Sequence, residues 1–182
     1  YINAKYVIVL SKICKEVLEK NLKIKNVINI GTSLWSEEKL NILEKNLNNQ
    51  KNEKFCIMRS DNATKNQVKA EEWCKKNNKE YDLIYDSDYN NFISKLSNYK
   101  GIVFIPSVLE TFSRLICEAK ILNLQIVTNR KLLGFASEKH FELKGEELLE
   151  ETKNRVNKAL KKFKDCIELQ EERNYIAVLS LW

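Results

Sequence analysis

An open parallel β-sheet with helices on both faces, a doubly wound α/β fold, is what this chain predicts, and three observations predict it. Short apolar runs alternate with segments of helical period along the 182 residues. The runs are apolar at successive positions rather than at every second one, as in strands buried on both faces. Hydrophobic residues make up 43% of the chain, enough for one good core and part of a second.

The elements follow in order. YVIVL (6–10) is a strand, Ser11 a turn, and KICKEVLEKNL a helix with Ile13, Val17 and Leu18 at helical spacing. NVINI (26–30) is a second strand, stopped by Gly31, and TSLWSEEKLNILEKNL is a connector with an exposed or half-buried Trp35 that leads into a helix. The polar NNQKNE (48–53) is the best boundary in the chain. KFCIMRS (54–60) opens a new series, followed by the loop DNATK and the helix NQVKAEEWCKKNN, with Val68, Trp73 and Cys74 on or near its buried side. YDLIYD (81–86) is a strand, and YNNFISKLSNYK a helix on Phe92, Ile93, Leu96 and Tyr99. GIVFIPS (101–107) is a fully apolar strand. The helix after it starts near Thr111 and carries Phe112, Leu115, Ile116, Ala119 and Leu122 on one face. LQIVTN (124–129) is the next strand, RKLLGFASE a loop, and residues 146–164 a charged amphipathic helix. ERNYIAVLSLW reads as a C-terminal helix. The organisation expected is residues 1–45 as the end of one domain and a linker, 46–165 as a Rossmann-like domain, and 166–182 as a crossover helix.

Composition narrows the function. Five cysteines (Cys14, Cys56, Cys74, Cys117 and Cys166) form no C-x-x-C pair, and an odd, scattered set fits a reducing, cytoplasmic setting. A net charge of +6 is spread along helices among Glu and Asn, so nucleic acid is not expected as a partner. The lysine-rich NKALKKFKD reads as a solvated helix face ahead of a membrane-surface patch. One histidine, His140, cannot build a histidine-based metal site or a Ser-His-Asp triad within this chain. No apolar run is long enough for a transmembrane helix, and the N-terminus has no signal-peptide pattern.

In a doubly wound sheet, ligands sit beyond the carboxyl ends of the strands. FIPSVLETFSRLICEAKIL (104–122) is in that place and carries Glu110 and Glu118. The start of its helix offers unpaired N–H groups and a positive dipole end, which suit phosphate. The glutamates are separated by about 10 to 12 Å along a helix, enough to span a sugar and a ribose. A carboxylate accepts from hydroxyls but repels phosphate, so it belongs where hydroxyls are. The competing reading makes Glu110 a helix-start residue favoured by the dipole and Glu118 an i, i+4 partner of Arg114.

ETFSRLICEA, with Glu110 and Glu118 separated by seven residues after Pro106-Ser107, resembles the E-x7-E motif of retaining glycosyltransferases of the GT-B fold, family four in particular. MRSDNATKN is similar to the segment in which that family places an Arg and then a Lys, here Arg59 and Lys65. IVTNRKLLGFASE looks like the family's strand and glycine loop, with Gly134 and Glu138 in register. AKYVIVLSKICKEVLEKN looks like the last strand–helix unit of the family's N-terminal domain, and INIGTSLWSEE like the linker to the donor-binding domain. The family follows its Lys with Gly, where this chain has Asn66.

The resemblance implies a GT-B donor-binding domain and metal-independent transfer, with retention, of a sugar from a nucleotide diphosphate. Glu110 would be the catalytic residue at the donor hexose, and Glu118 would hold the ribose hydroxyls. The amides of Thr111, Phe112 and Ser113 would meet sugar or phosphate, and Arg59 and Lys65 would offset charge on the leaving diphosphate. No cofactor is implied, since the nucleotide sugar is a substrate. Two cations and a helix terminus stand in for a metal. The acceptor, whether glycan, lipid or protein, is bound by an N-terminal domain of which this chain is expected to hold only the last unit. The alternative is a non-catalytic nucleotide-sugar-binding or scaffold module of the same fold.

Overall fold

The computed structural model describes residues 4–168 and 176–178. Two parallel sheets form. The first is ordered β2-β1-β7, from β1 (Tyr6–Val9), β2 (Val27–Asn29) and β7 (Ile176–Val178). The second is four-stranded, ordered β4-β3-β5-β6, from β3 (Phe55–Met58), β4 (Tyr81–Ile84), β5 (Gly101–Phe104) and β6 (Gln125–Thr128). Six α-helices lie between or after the described strands: α1 (Lys12–Asn21), α2 (Glu37–Asn46), α3 (Gln67–Lys76), α4 (Tyr89–Ser97), α5 (Arg114–Ile121) and α6 (Gly145–Glu168). A parallel sheet flanked by helices is compatible with a Rossmann-like fold.

Alternation along the strands of the second sheet explains why both faces are covered. Phe55, Ile57 and Val103 point to one face and pack with Ala70 and Cys74 of α3. Cys56, Ile84, Ile102 and Phe104 belong to the larger core on the other face, which α2, α4, α5 and α6 supply with Leu43, Ile93, Ile116, Ile121 and Leu149. In the first sheet, Val7 and Val9 pack with Leu18 of α1, whereas Ile8, Leu10 and Ile30 join the larger core. One apolar cluster thus links the two sheets. Helix α2 starts well: the Ser36 side chain accepts from Lys39 N–H, and Glu37 and Glu38 occupy the first turn. It ends at Asn46 and packs against α4 and α6.

Four details differ from the sequence reading. Trp35 is buried, because the connector packs its indole into the larger core, edge-on against Phe112. Val68, expected near the buried side of α3, is exposed, since Ala70 and Cys74 already define the inward stripe. Helix α5 begins at Arg114, not near Thr111, because Glu110 and Phe112 pair with the loop after β6. Of the expected C-terminal crossover helix, residues 166–168 continue α6, and residues 176–178 are a strand paired with β1; the rest, Trp182 included, lies outside the described residues. All five cysteines are free. Among the described residues no helix is long and apolar enough to cross a membrane.

Candidate functional site

The chain leaves β3 to one side through α3 to β4, then crosses back through α4 to β5 on the other side of β3. The carboxyl ends of β3 and β5 therefore diverge into different loops, and a crevice opens at that reversal. A cavity of about 1170 Å³ occupies it. Arg59, Lys65, Glu110, Thr111, Phe112, Ser113 and Glu118, the seven residues singled out from sequence, all line it.

The loop after β5 is shaped by its neighbour after β6. Glu110 forms an isolated parallel bridge with Leu133: Glu110 N–H donates to Leu132 O at 2.9 Å, and Gly134 N–H to Glu110 O at 2.7 Å. Phe135 N–H then donates to Phe112 O at 2.9 Å. This pairing fixes Glu110 and Phe112 against the loop after β6, and the helix starts only at Arg114. Gly134 makes the approach feasible, because a β-carbon there would collide with the Thr111 carbonyl. The turn into the helix falls on Ser113, at φ 69° and ψ 80°, a conformation that costs a non-glycine residue about 1–2 kcal/mol. The N–H groups of Thr111, Phe112 and Ser113 reach no acceptor among the described residues. Donors left open at a helix start favour an anion.

Lys65 and Arg59 line the same cavity as these amides. Lys65 Nζ donates to both Glu110 carboxylate oxygens, at 2.8 and 3.0 Å, and lies 5.8 Å from the centre of the Phe104 ring. It ends a 3-10 turn over residues 63–65, where Asn62 caps Thr64 N–H, and the loop is clipped to the β5 side by Ser107 N–H on Thr64 O at 3.0 Å. Asn66, which stands where the resembled family has glycine, takes the left-handed backbone at φ 54° and ψ 48°, a region asparagine tolerates better than most residues. Arg59 is exposed at the end of β3, and among the described residues its guanidinium forms no ion pair. Arg114, treated from sequence only as a partner for Glu118, forms no such pair and lines the cavity with Lys39.

Glu118 is held instead by two residues that sequence reasoning missed. Its Oε1 accepts from Trp35 Nε1 and from the Tyr89 hydroxyl, each at 2.9 Å. Burial, then the Glu118 charge, pushes the Tyr89 hydroxyl well above its ordinary pKa, so it stays a neutral donor. Trp35 looked like a connector residue, and Tyr89 fell at the edge of the α4 pattern. Only an unexplained Trp in a polar linker marked the pair. Asp86 and Ser87, in the loop after β4, line the cavity as well. Asp88 caps α4 through Asn91 N–H at 2.8 Å, and Asp86 pairs with Lys95 at 2.7 Å. Among the described residues no group of three or more His, Cys, Asp and Glu side chains is placed to hold a metal ion.

Glu138 has a role outside the cavity. Its Oε1 accepts from Lys12 N–H at 2.7 Å and Asn29 Nδ2 at 2.8 Å, which caps α1 and ties the first sheet to the second. Cys14 Sγ adds a contact of 3.6 Å to Thr111 O. Comparison of the chain with protein-family models, curated proteins and solved structures finds no match.

Proposed function

We propose that this chain carries the donor site of a retaining, metal-independent glycosyltransferase of the GT-B type, which binds a nucleotide-diphosphate sugar and, with an acceptor-binding half, transfers the sugar. The observation that carries the reading is the meeting of Arg59, Lys65, the open amides of residues 111–113 and both glutamates around one cavity at the sheet's reversal point. Cations and amides suit a diphosphate, and the carboxylates suit hydroxyl groups on either side of it.

The Lys65–Glu110 pair supports a division of labour. Without donor, each neutralises the other. A diphosphate bearing more charge than one carboxylate would draw Lys65 toward it, leaving Glu110 to accept from sugar hydroxyls. Arg59 and Lys65 then offset the charge that develops on the leaving diphosphate as the glycosidic bond breaks. Glu118 would accept from the ribose.

Calorimetric titration with UDP, GDP and ADP tests the reading. Saturable binding of one nucleotide, weakened in both Arg59→Ala and Glu118→Ala, is expected. A folded chain that binds none of the three would overturn it.

A further inference from the structure

In Glu118 both protein donors fall on the same oxygen. Trp35 Nε1 and Tyr89 Oη converge on Oε1, and Oε2 receives no hydrogen bond among the described residues. Nor is Oε2 one of the buried polar atoms left without a partner, which among those residues are Ser11 Oγ, Thr128 Oγ1 and His140 Nδ1. It therefore opens on the cavity that Glu118 lines, although the residue as a whole is only 4% exposed.

We propose that Trp35 and Tyr89 are positioning residues that lock the Glu118 carboxylate with Oε2 aimed at a ligand diol, and that they thereby set a preference for ribo- over deoxyribonucleotides. The proposal rests on the reading of the cavity as a nucleoside-diphosphate site. An indole N–H is a donor only and needs an acceptor when buried. The Trp35 ring is itself fixed edge-on against Phe112, with centroids 6.1 Å apart and planes at 76°. Tyr89 is steadied from another side by Lys39 Nζ, 5.1 Å from its ring centre. Turning the carboxylate would break two hydrogen bonds at once, so Oε2 has one direction in which to accept. An acceptor preorganised in this way rewards a hydroxyl and is left unpaired by a ligand that lacks one. Trp35 lies in the connector between β2 and α2, so the segment joining the two sheets sets the geometry of the site.

The test compares UDP, GDP and ADP with the deoxyribo form of each, by calorimetry, on the wild-type chain, Tyr89→Phe and Trp35→Phe, with thermal melts to confirm folding. Wild type is expected to favour the ribonucleotide by about tenfold, the size of one good hydrogen bond. Tyr89→Phe, which keeps the ring, should lose most of that ratio while its affinity for the deoxyribo form stays unchanged, an effect that general loosening of the cavity would not give. Trp35→Phe should act in the same direction. A preserved ratio in folded Tyr89→Phe overturns the positioning role and leaves the nucleotide site standing. Equal wild-type affinity for both sugars overturns the diol contact. Wild type that binds no nucleotide overturns the functional reading and this proposal with it.

Discussion

Lys65 Nζ lies 2.8 Å from Glu110 Oε1, with the two side chains 24% and 15% exposed. The pair bridges the loop after β3 to the loop after β5, so the two sides of the cavity are linked by charge at their mouth. At this depth the pair is partly shielded from water, and it needs both members to offset their desolvation.

Replacing Lys65 with Ala removes a cation from the diphosphate side and leaves Glu110 uncompensated. Nucleotide affinity is expected to fall tenfold to a hundredfold, about 1.5–3 kcal/mol for one charge-assisted hydrogen bond. Lys153→Ala is the control: that lysine pairs with Glu44 and Glu150 away from the cavity, and its loss should leave the dissociation constant unchanged in the same titration.

Gly134→Ala should damage the site through the backbone. Its β-carbon would meet the Thr111 carbonyl and the Ser11 hydroxyl, so the 110–112 and 132–135 loops must part. A loss of about 2 kcal/mol in urea unfolding is expected, together with weaker nucleotide binding.

Ser113→Gly should do the reverse for stability. Glycine takes the positive φ of this turn without strain, and the relief outweighs its extra freedom in the unfolded chain, for a gain of about 0.5–1 kcal/mol. Urea unfolding at neutral pH measures it.

His140 makes stability depend on pH. It is buried against the Phe112 and Phe135 rings, Nδ1 has no partner among the described residues, and burial pushes its imidazole down to about 4, with Arg155 adding to the effect and Glu151 opposing it. The unfolded chain holds its proton up to about 6.5, so between these values the unfolded state binds more protons and stability falls as pH falls. That stability is fully present above the window, and about 3 kcal/mol of it is lost once pH has dropped through it. In melts between the two values, wild type should lose stability relative to His140→Leu as the buffer is made more acidic. Parallel curves would mean that His140 does not titrate in the folded chain.

Much of the fold was legible because parallel strands buried on both faces write themselves as continuous apolar runs, as in residues 101–104 and 55–58. Helix faces were legible where the core stripe was strong, as in α4 and α5. What stayed hidden depended on contacts distant in sequence. The pairing of β7 with β1 joins residues about as far apart as the chain allows. The late start of α5 is imposed by Leu133 and Gly134, which nothing in ETFSR announces. Residues at the cavity were found where a motif spaced them regularly, as with Glu110 and Glu118. Trp35 and Tyr89 were not, because their role comes only from folding the connector and α4 onto the same carboxylate.

The most direct measurement is an amide-resolved NMR titration of the chain with UDP, GDP and ADP. One nucleotide is expected to shift the amide signals of Thr111, Phe112 and Ser113 first and most, with Arg59 and Lys65 following and the first sheet's β2 unaffected. Saturable binding with those five signals unmoved would contradict it, since the nucleotide would then occupy some other part of the protein.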